Sequence, residues 1–241
     1  MKREFWIILI VYIAMQLSGI AGIPVLMFVF GFLGKDVGLA VPIWLIFSFT
    51  VALIIILFIL RKEMGAAGLN ERGNSAGFLI KWSILGFFMA LFAQYLAAII
   101  ESMLGIKMGS ENTEQILSII ETFPLAILVT SIVGPILEEI VFRKIIFGAL
   151  YKRFNFFISA LISSFIFALV HMDPAHILIY SGMGFTFAFL YVKTKRIIVP
   201  IFAHVAMNTM VVLVQSVYKD DIERLMREAE AIQNFIGGFF L

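Results

Sequence analysis

GLAVPIWLIFSFTVALIIILFIL, residues 38–60, runs for 23 positions without a charged side chain. Wound as a helix at about 1.5 Å per residue, such a stretch crosses the ~30 Å hydrocarbon layer of a bilayer. Six more predominantly apolar stretches lie at residues 5–33, 77–100, 123–143, 155–171, 175–192 and 197–217. Their apolar residues are continuous, whereas the strands of a membrane barrel alternate over ~10 residues, so helices are expected. Across all 241 residues, 62% are hydrophobic and 14% charged, against about half and a quarter in ordinary soluble domains. That excess is too large for one globular core. The expected fold class is all-α: a polytopic transmembrane helical bundle of about seven spans. A soluble enzyme is excluded.

The basic residues set an orientation. Alternate connections on one side hold Lys2, Arg3, Arg61, Lys62, Arg72, Arg143, Lys144, Lys152, Arg153, Lys193, Lys195 and Arg196. The other side holds Lys35 and Lys107, with Lys219, Arg224 and Arg227 in the tail. Twelve against five places the N-terminus in the cytoplasm and the chain in the cell membrane as a multi-pass protein. The first run is longer than a signal-peptide core and has no clear cleavage site, so it reads as a retained span. A net charge of +2 offers no broad basic surface, and nucleic acid is not an expected partner. With no cysteine, disulfides, thiolate nucleophiles and Cys-ligated metals are excluded.

Between the spans, residues 61–75 (RKEMGAAGLNERGNS) read as a loop. Residues 102–121 read as an extracytoplasmic connection with some amphipathic helix. After Tyr218, Ile222, Leu225, Met226, Ala229, Ile232 and Ile236 recur at helical spacing among charges, predicting an interfacial helix lying on the membrane. The chain divides into front spans over 1–118, a core over 119–217 and an amphipathic tail over 218–241.

Ionisable groups inside spans cost a few kcal/mol each even on gentle insertion scales, so each asks for a reason. Lys81 is near enough to a membrane face to snorkel. In GPILEEIVFRKIIF (134–147), Glu139 and Arg143 are four apart and pair on one helical face. Glu138 is rotated about 100° from that face and needs a partner from elsewhere. Gly134-Pro135 just before it can start a helix, whose N-terminus would favour the ionised carboxylate, or break a longer one. FIFALVHMDP (165–174) sets His171 one turn after Phe167, and HVAMN (204–208) puts His204 and Asn208 on one face. His176, in the connection after His171, reads as an interfacial residue. A hydrolytic centre needs a base for water and donors for a developing oxyanion in a site shielded from solvent. Glu138 with His171, and His204 with Asn208, could supply the two halves.

In these three patterns the sequence resembles the CAAX protease and bacteriocin-processing family, the membrane glutamate proteases that include the Ras-converting CAAX endopeptidases. Glu138, Glu139 and Arg143 match its E-E-x-x-x-R motif, Phe167 and His171 its F-x-x-x-H, and His204 and Asn208 its H-x-x-x-N, in the family's order. The resemblance covers roughly residues 120–212. It implies that Glu138 activates water, that His171 helps to hold that water, that His204 and Asn208 stabilise the oxyanion, and that Glu139 and Arg143 support them. It also implies a membrane-associated peptide or lipid-modified protein as substrate, and no metal.

Rival chemistries are weaker. The zinc-protease pattern H-E-x-x-H is absent, and Asp36, Asp173, Asp220 and Asp221 fall outside the spans. Ser181 in IYSGMG is half of a glycine-framed serine turn. A zinc site built from Glu138, His171 and His204 remains compatible with the ligand types, as does a non-catalytic immunity or scaffold protein. Internal repeats pointing to a transporter are not visible. Placed on strictly alternating spans, Glu138 and His171 would lie at opposite membrane faces, ~20 Å apart at ~1.5 Å per residue. Either the helix of Glu138 begins at Gly134-Pro135 and runs on towards Leu150, or the span ending at His171 is tilted or partly re-entrant.

Overall fold

The computed structural model describes residues 1–70, 75–107 and 109–218, with 221, 224, 225, 227 and 228. Among the described residues up to 218, eight helices follow in order: α1 (Arg3–Phe32), α2 (Ala40–Asn70), α3 (Ala76–Met103), α4 (Glu111–Thr122), α5 (126–150), α6 (Phe156–Leu169), α7 (Ile177–Thr194) and α8 (Ile198–Val217). Short 3-10 turns at Val37–Leu39 and Pro174–His176 lead into α2 and α7, and there is no strand among the described residues. The protein is a helical membrane bundle. Each of the seven apolar runs is a helix, and α4 is the amphipathic helix of the long connection. Five helices, α1, α2, α3, α7 and α8, are long and apolar enough to cross a membrane. The other two are the charged α5 and α6, which has only 14 residues.

Local chemistry sets the ends. Ser75, Ser110 and Asn155 cap α3, α4 and α6 by accepting from backbone N–H groups of Phe78, Thr113 and Ile158, the usual relief for orphan donors at a helix start. Gly34, at φ +65°, turns the chain after α1, a left-handed conformation that glycine adopts without strain. Two expectations need correction. Residues 61–70 continue α2 instead of forming a loop, since Lys, Glu, Met, Ala and Leu there favour helix over the two glycines; residues 71–74 lie outside the described part. Nor does Gly134-Pro135 start or break a helix. Residues 129–133 are wound as a π-helix, 134–138 as α, and 139–147 again as π. The missing N–H of Pro135 cannot close an α-helical bond, and the change of winding takes up that defect inside one continuous helix. Glu138 therefore lies inside this helix and not at its N-terminus. The expected tail helix falls mostly outside the described residues.

The bundle is closed by α7, which packs against α3 and α6, while α8 packs on α3. Large side chains such as Phe28, Phe92 and Phe157 point outward and exposed, as a lipid-facing surface requires. Small residues let the inner helices approach. A Cβ on Gly184 of α7 would lie 2.9 Å from the Cβ of Ser164 on α6. Gly184→Val is therefore expected to destabilise the protein by about 1–3 kcal/mol through overpacking, read as a lowered thermal midpoint in detergent. An unchanged midpoint would show that α6 and α7 do not meet here.

Candidate active site

Position 138 stands midway along α5, because that helix begins at 126 and runs on to 150. Continuation of the helix thus removes the ~20 Å separation that alternating spans would impose at ~1.5 Å per residue. Glu138, His171, His204 and Asn208 all line one cavity of about 850 Å³, within the range of about 300–1,000 Å³ usual for ligand sites.

The π-winding that follows Glu138 shapes what the two glutamates can reach. Its i→i+5 bonding widens the turn, so each residue rotates less than in an α-helix and consecutive side chains come closer to a common face. Both glutamates approach His204 on α8. Glu139 Oε1 accepts from His204 Nδ1 at 2.9 Å, and Glu138 Oε2 stands 3.7 Å from His204 Nε2. The latter is too long for a hydrogen bond, which leaves Nε2 facing the cavity. Phe187 stacks on the same ring, centroids 4.6 Å apart. His204 is buried with its plane and its Nδ1 both fixed.

Glu139 also meets Arg143, whose Nε is 3.2 Å from Oε2. Both side chains are fully buried, and the guanidinium nitrogens have no hydrogen-bond partner. Three phenylalanine rings surround the cation, Phe167 nearest with 4.3 Å from its centroid to Cζ, then Phe187 at 5.3 Å and Phe142 at 6.0 Å. Cation–π attraction is strongest where the cation is desolvated. The E-x-x-x-R spacing exposes the Glu139–Arg143 pair, but not the bond from Glu139 to a histidine 65 residues later.

His171 follows the end of α6. Its Nδ1 lies 2.7 Å from the Phe167 carbonyl; since a carbonyl only accepts, this nitrogen carries the proton and Nε2 has the lone pair. Phe167 meets the ring edge-on, with centroids 4.5 Å apart, which explains the F-x-x-x-H spacing. Tyr180 of α7 stacks on its face at 4.1 Å. Met172, next in sequence, adopts φ +54°, a strained conformation for a non-glycine residue, and turns the chain towards Asp173-Pro174.

His176 is buried in the protein, with Nδ1 2.7 Å from Glu101 Oε2 and Nε2 2.8 Å from the Gly109 carbonyl. His176 and Glu101 lie 75 residues apart at the ends of different spans, so no local spacing reveals the pair. The one available signal is a carboxylate, Glu101, at the very end of an apolar run. Among the described residues, no three His, Asp or Glu side chains are grouped as a metal ion would require, so the Glu138–His171–His204 set does not fit zinc in this geometry.

Residues 120–210 match the family described as Type II CAAX prenyl endopeptidase Rce1-like. "Putative membrane peptidase YdiL" of Bacillus subtilis (strain 168) is 49% identical over 247 residues, covering 100% of both chains. "Membrane-embedded CAAX protease MroQ" of Staphylococcus aureus (strain USA300) is 37% identical over 171 residues, 68% of each chain. No solved structure matches the chain.

Proposed function

Since the chain belongs to the Type II CAAX prenyl endopeptidase Rce1-like family of membrane peptidases, we propose that it is a glutamate-type intramembrane endopeptidase acting on a membrane-associated peptide or lipid-modified protein. The observation that carries this reading is the convergence on one cavity of a carboxylate, Glu138, and two imidazoles whose Nδ1 atoms are already engaged.

Water held between Glu138 and His171 Nε2 attacks the substrate carbonyl carbon, and its proton passes to the Glu138 carboxylate, as general-base catalysis requires. The carbonyl oxygen gains the negative charge. As an imidazolium paired with Glu139, His204 presents Nε2–H to that oxygen, with the Asn208 amide beside it; donors fixed before the reaction stabilise developing charge without reorganising. The tetrahedral species then collapses, the C–N bond breaks, and Glu138 returns its proton to the leaving amine. No covalent intermediate forms. Glu139 and Arg143 hold His204 in place. Residues 119–217 form the catalytic core and 1–118 the front spans, with the N-terminus in the cytoplasm.

Membranes from cells making the protein are expected to release a peptide, found by mass spectrometry, that membranes making His171→Ala do not. The rate is expected to be unchanged by EDTA or 1,10-phenanthroline. Equal release by the His171→Ala membranes at equal protein levels would refute the hydrolytic reading, and inhibition reversed by added zinc would refute its metal-free form.

A further inference from the structure

Below the catalytic residues, a second polar cluster lines the same cavity and belongs to none of the three motifs. Glu101, at the end of α3, is buried, yet its carboxylate is fully occupied. Oε1 accepts from the backbone N–H groups of Leu178 and Ile179 at 3.1 and 3.2 Å, and Oε2 from His176. It therefore caps the first turn of α7 from outside that helix, satisfying donors that a helix start otherwise leaves orphaned. Both nitrogens of His176 face acceptors, a carboxylate and a carbonyl, so both donate and the ring is an imidazolium. Its second bond ties α7 to Gly109, just before α4.

The neighbouring segment completes the link to the site. Ser110 donates to Asp173 Oδ2 at 2.7 Å and shares a 2.9 Å hydrogen bond with the Tyr180 hydroxyl; Asn112 Nδ2 also donates to that hydroxyl, at 3.3 Å. Tyr180 lies one turn into α7 and stacks on His171 with 24° between the planes. The bond from His171 Nδ1 to the Phe167 carbonyl fixes the tautomer but leaves the ring free to swing about that bond. Contact across its face removes the swing.

Resting on the hydrolytic reading above, we infer that Tyr180 and the Glu101–His176 pair are positioning residues for His171: Tyr180 fixes the plane of the imidazole, and the pair fixes the turn of α7 that carries Tyr180.

The chain has three histidines, so the full-length protein labelled with 15N-histidine gives a spectrum simple enough to assign. In the wild type, His171 is expected as a single tautomer protonated at Nδ1, with a ring-current shift from Tyr180. Tyr180→Leu abolishes that shift and broadens the ring signals as the imidazole swings, while the bond to the Phe167 carbonyl keeps the tautomer; Tyr180→Phe keeps the shift and the narrow signals. Glu101→Leu is expected to act on His171 without touching it, and Glu101→Gln to restore the wild-type signal, since its amide still accepts from α7 and donates to a neutral His176. With a synthetic peptide spanning the cleavage position found in wild-type membranes, Tyr180→Leu and Glu101→Leu lower kcat by ~10²-fold, the cost of misplacing a reacting group by about 1 Å, with KM little changed.

A His171 signal indistinguishable from wild type in both leucine variants would overturn the inference, as would a loss confined to KM or to thermal stability. A wild type that releases no peptide sinks the hydrolytic reading instead, and the histidine spectra still decide whether Tyr180 and Glu101 order His171.

Discussion

Glu138→Gln is expected to reach the membrane at the wild-type level and to form product about 10³-fold more slowly, within the 10²–10⁴-fold that a positioned base supplies. The substitution keeps the shape of the side chain and removes its ability to take a proton from water. Its effect on folding is small, because the carboxylate is not a structural partner. It stands 3.7 Å from His204 Nε2 and remains 18% exposed to the cavity, in contrast to the sealed Glu139. Initial rates of peptide release, normalised to the protein in each membrane preparation, give the ratio. Equal rates would mean that Glu138 is not the base and would favour a binding protein that retains the polar cluster as a structural network.

Glu139→Leu has a different signature. It leaves Arg143 fully buried without its ion-pair partner. Removing one member of a buried pair costs about 3–5 kcal/mol, because the remaining charge is uncompensated. The thermal midpoint in detergent should fall sharply. Adding Arg143→Met to Glu139→Leu replaces the pair by apolar side chains among Phe142, Phe167 and Phe187, and is expected to recover most of the stability. Activity is not expected to recover, since His204 Nδ1 still lacks the carboxylate that keeps its ring oriented. A double variant that is both stable and fully active would show that Glu139 serves only the fold. A Glu139→Leu protein as stable as wild type would show that the pair is not sealed from water.

Much of the architecture could be read from hydropathy alone. Each apolar run became a helix because lipid leaves a backbone no other partner than itself. The four residues of the cavity were legible because they are costly in a span and therefore few. What sequence could not give was the path of α5. Its π-turns leave no periodic signature, and only they carry the helix past Pro135 and bring Glu138 and Glu139 together towards His204. The Glu101–His176 pair was illegible for a related reason: each residue sits where a span meets its connection, where a polar side chain raises no question. The partner of His176 is distant in sequence and close only once α3 and α7 are packed.

Helix α6, with 14 residues, rises about 21 Å, roughly 9 Å less than the hydrocarbon thickness. Were α6 to span the bilayer, the mismatch would be relieved by local thinning of the lipid beside it. On the proposed mechanism, such thinning would bring headgroup water nearer the turn that carries His171. The length of the surrounding acyl chains would then be a variable of the proposed reaction, because it would set how far water has to travel from the bulk phase.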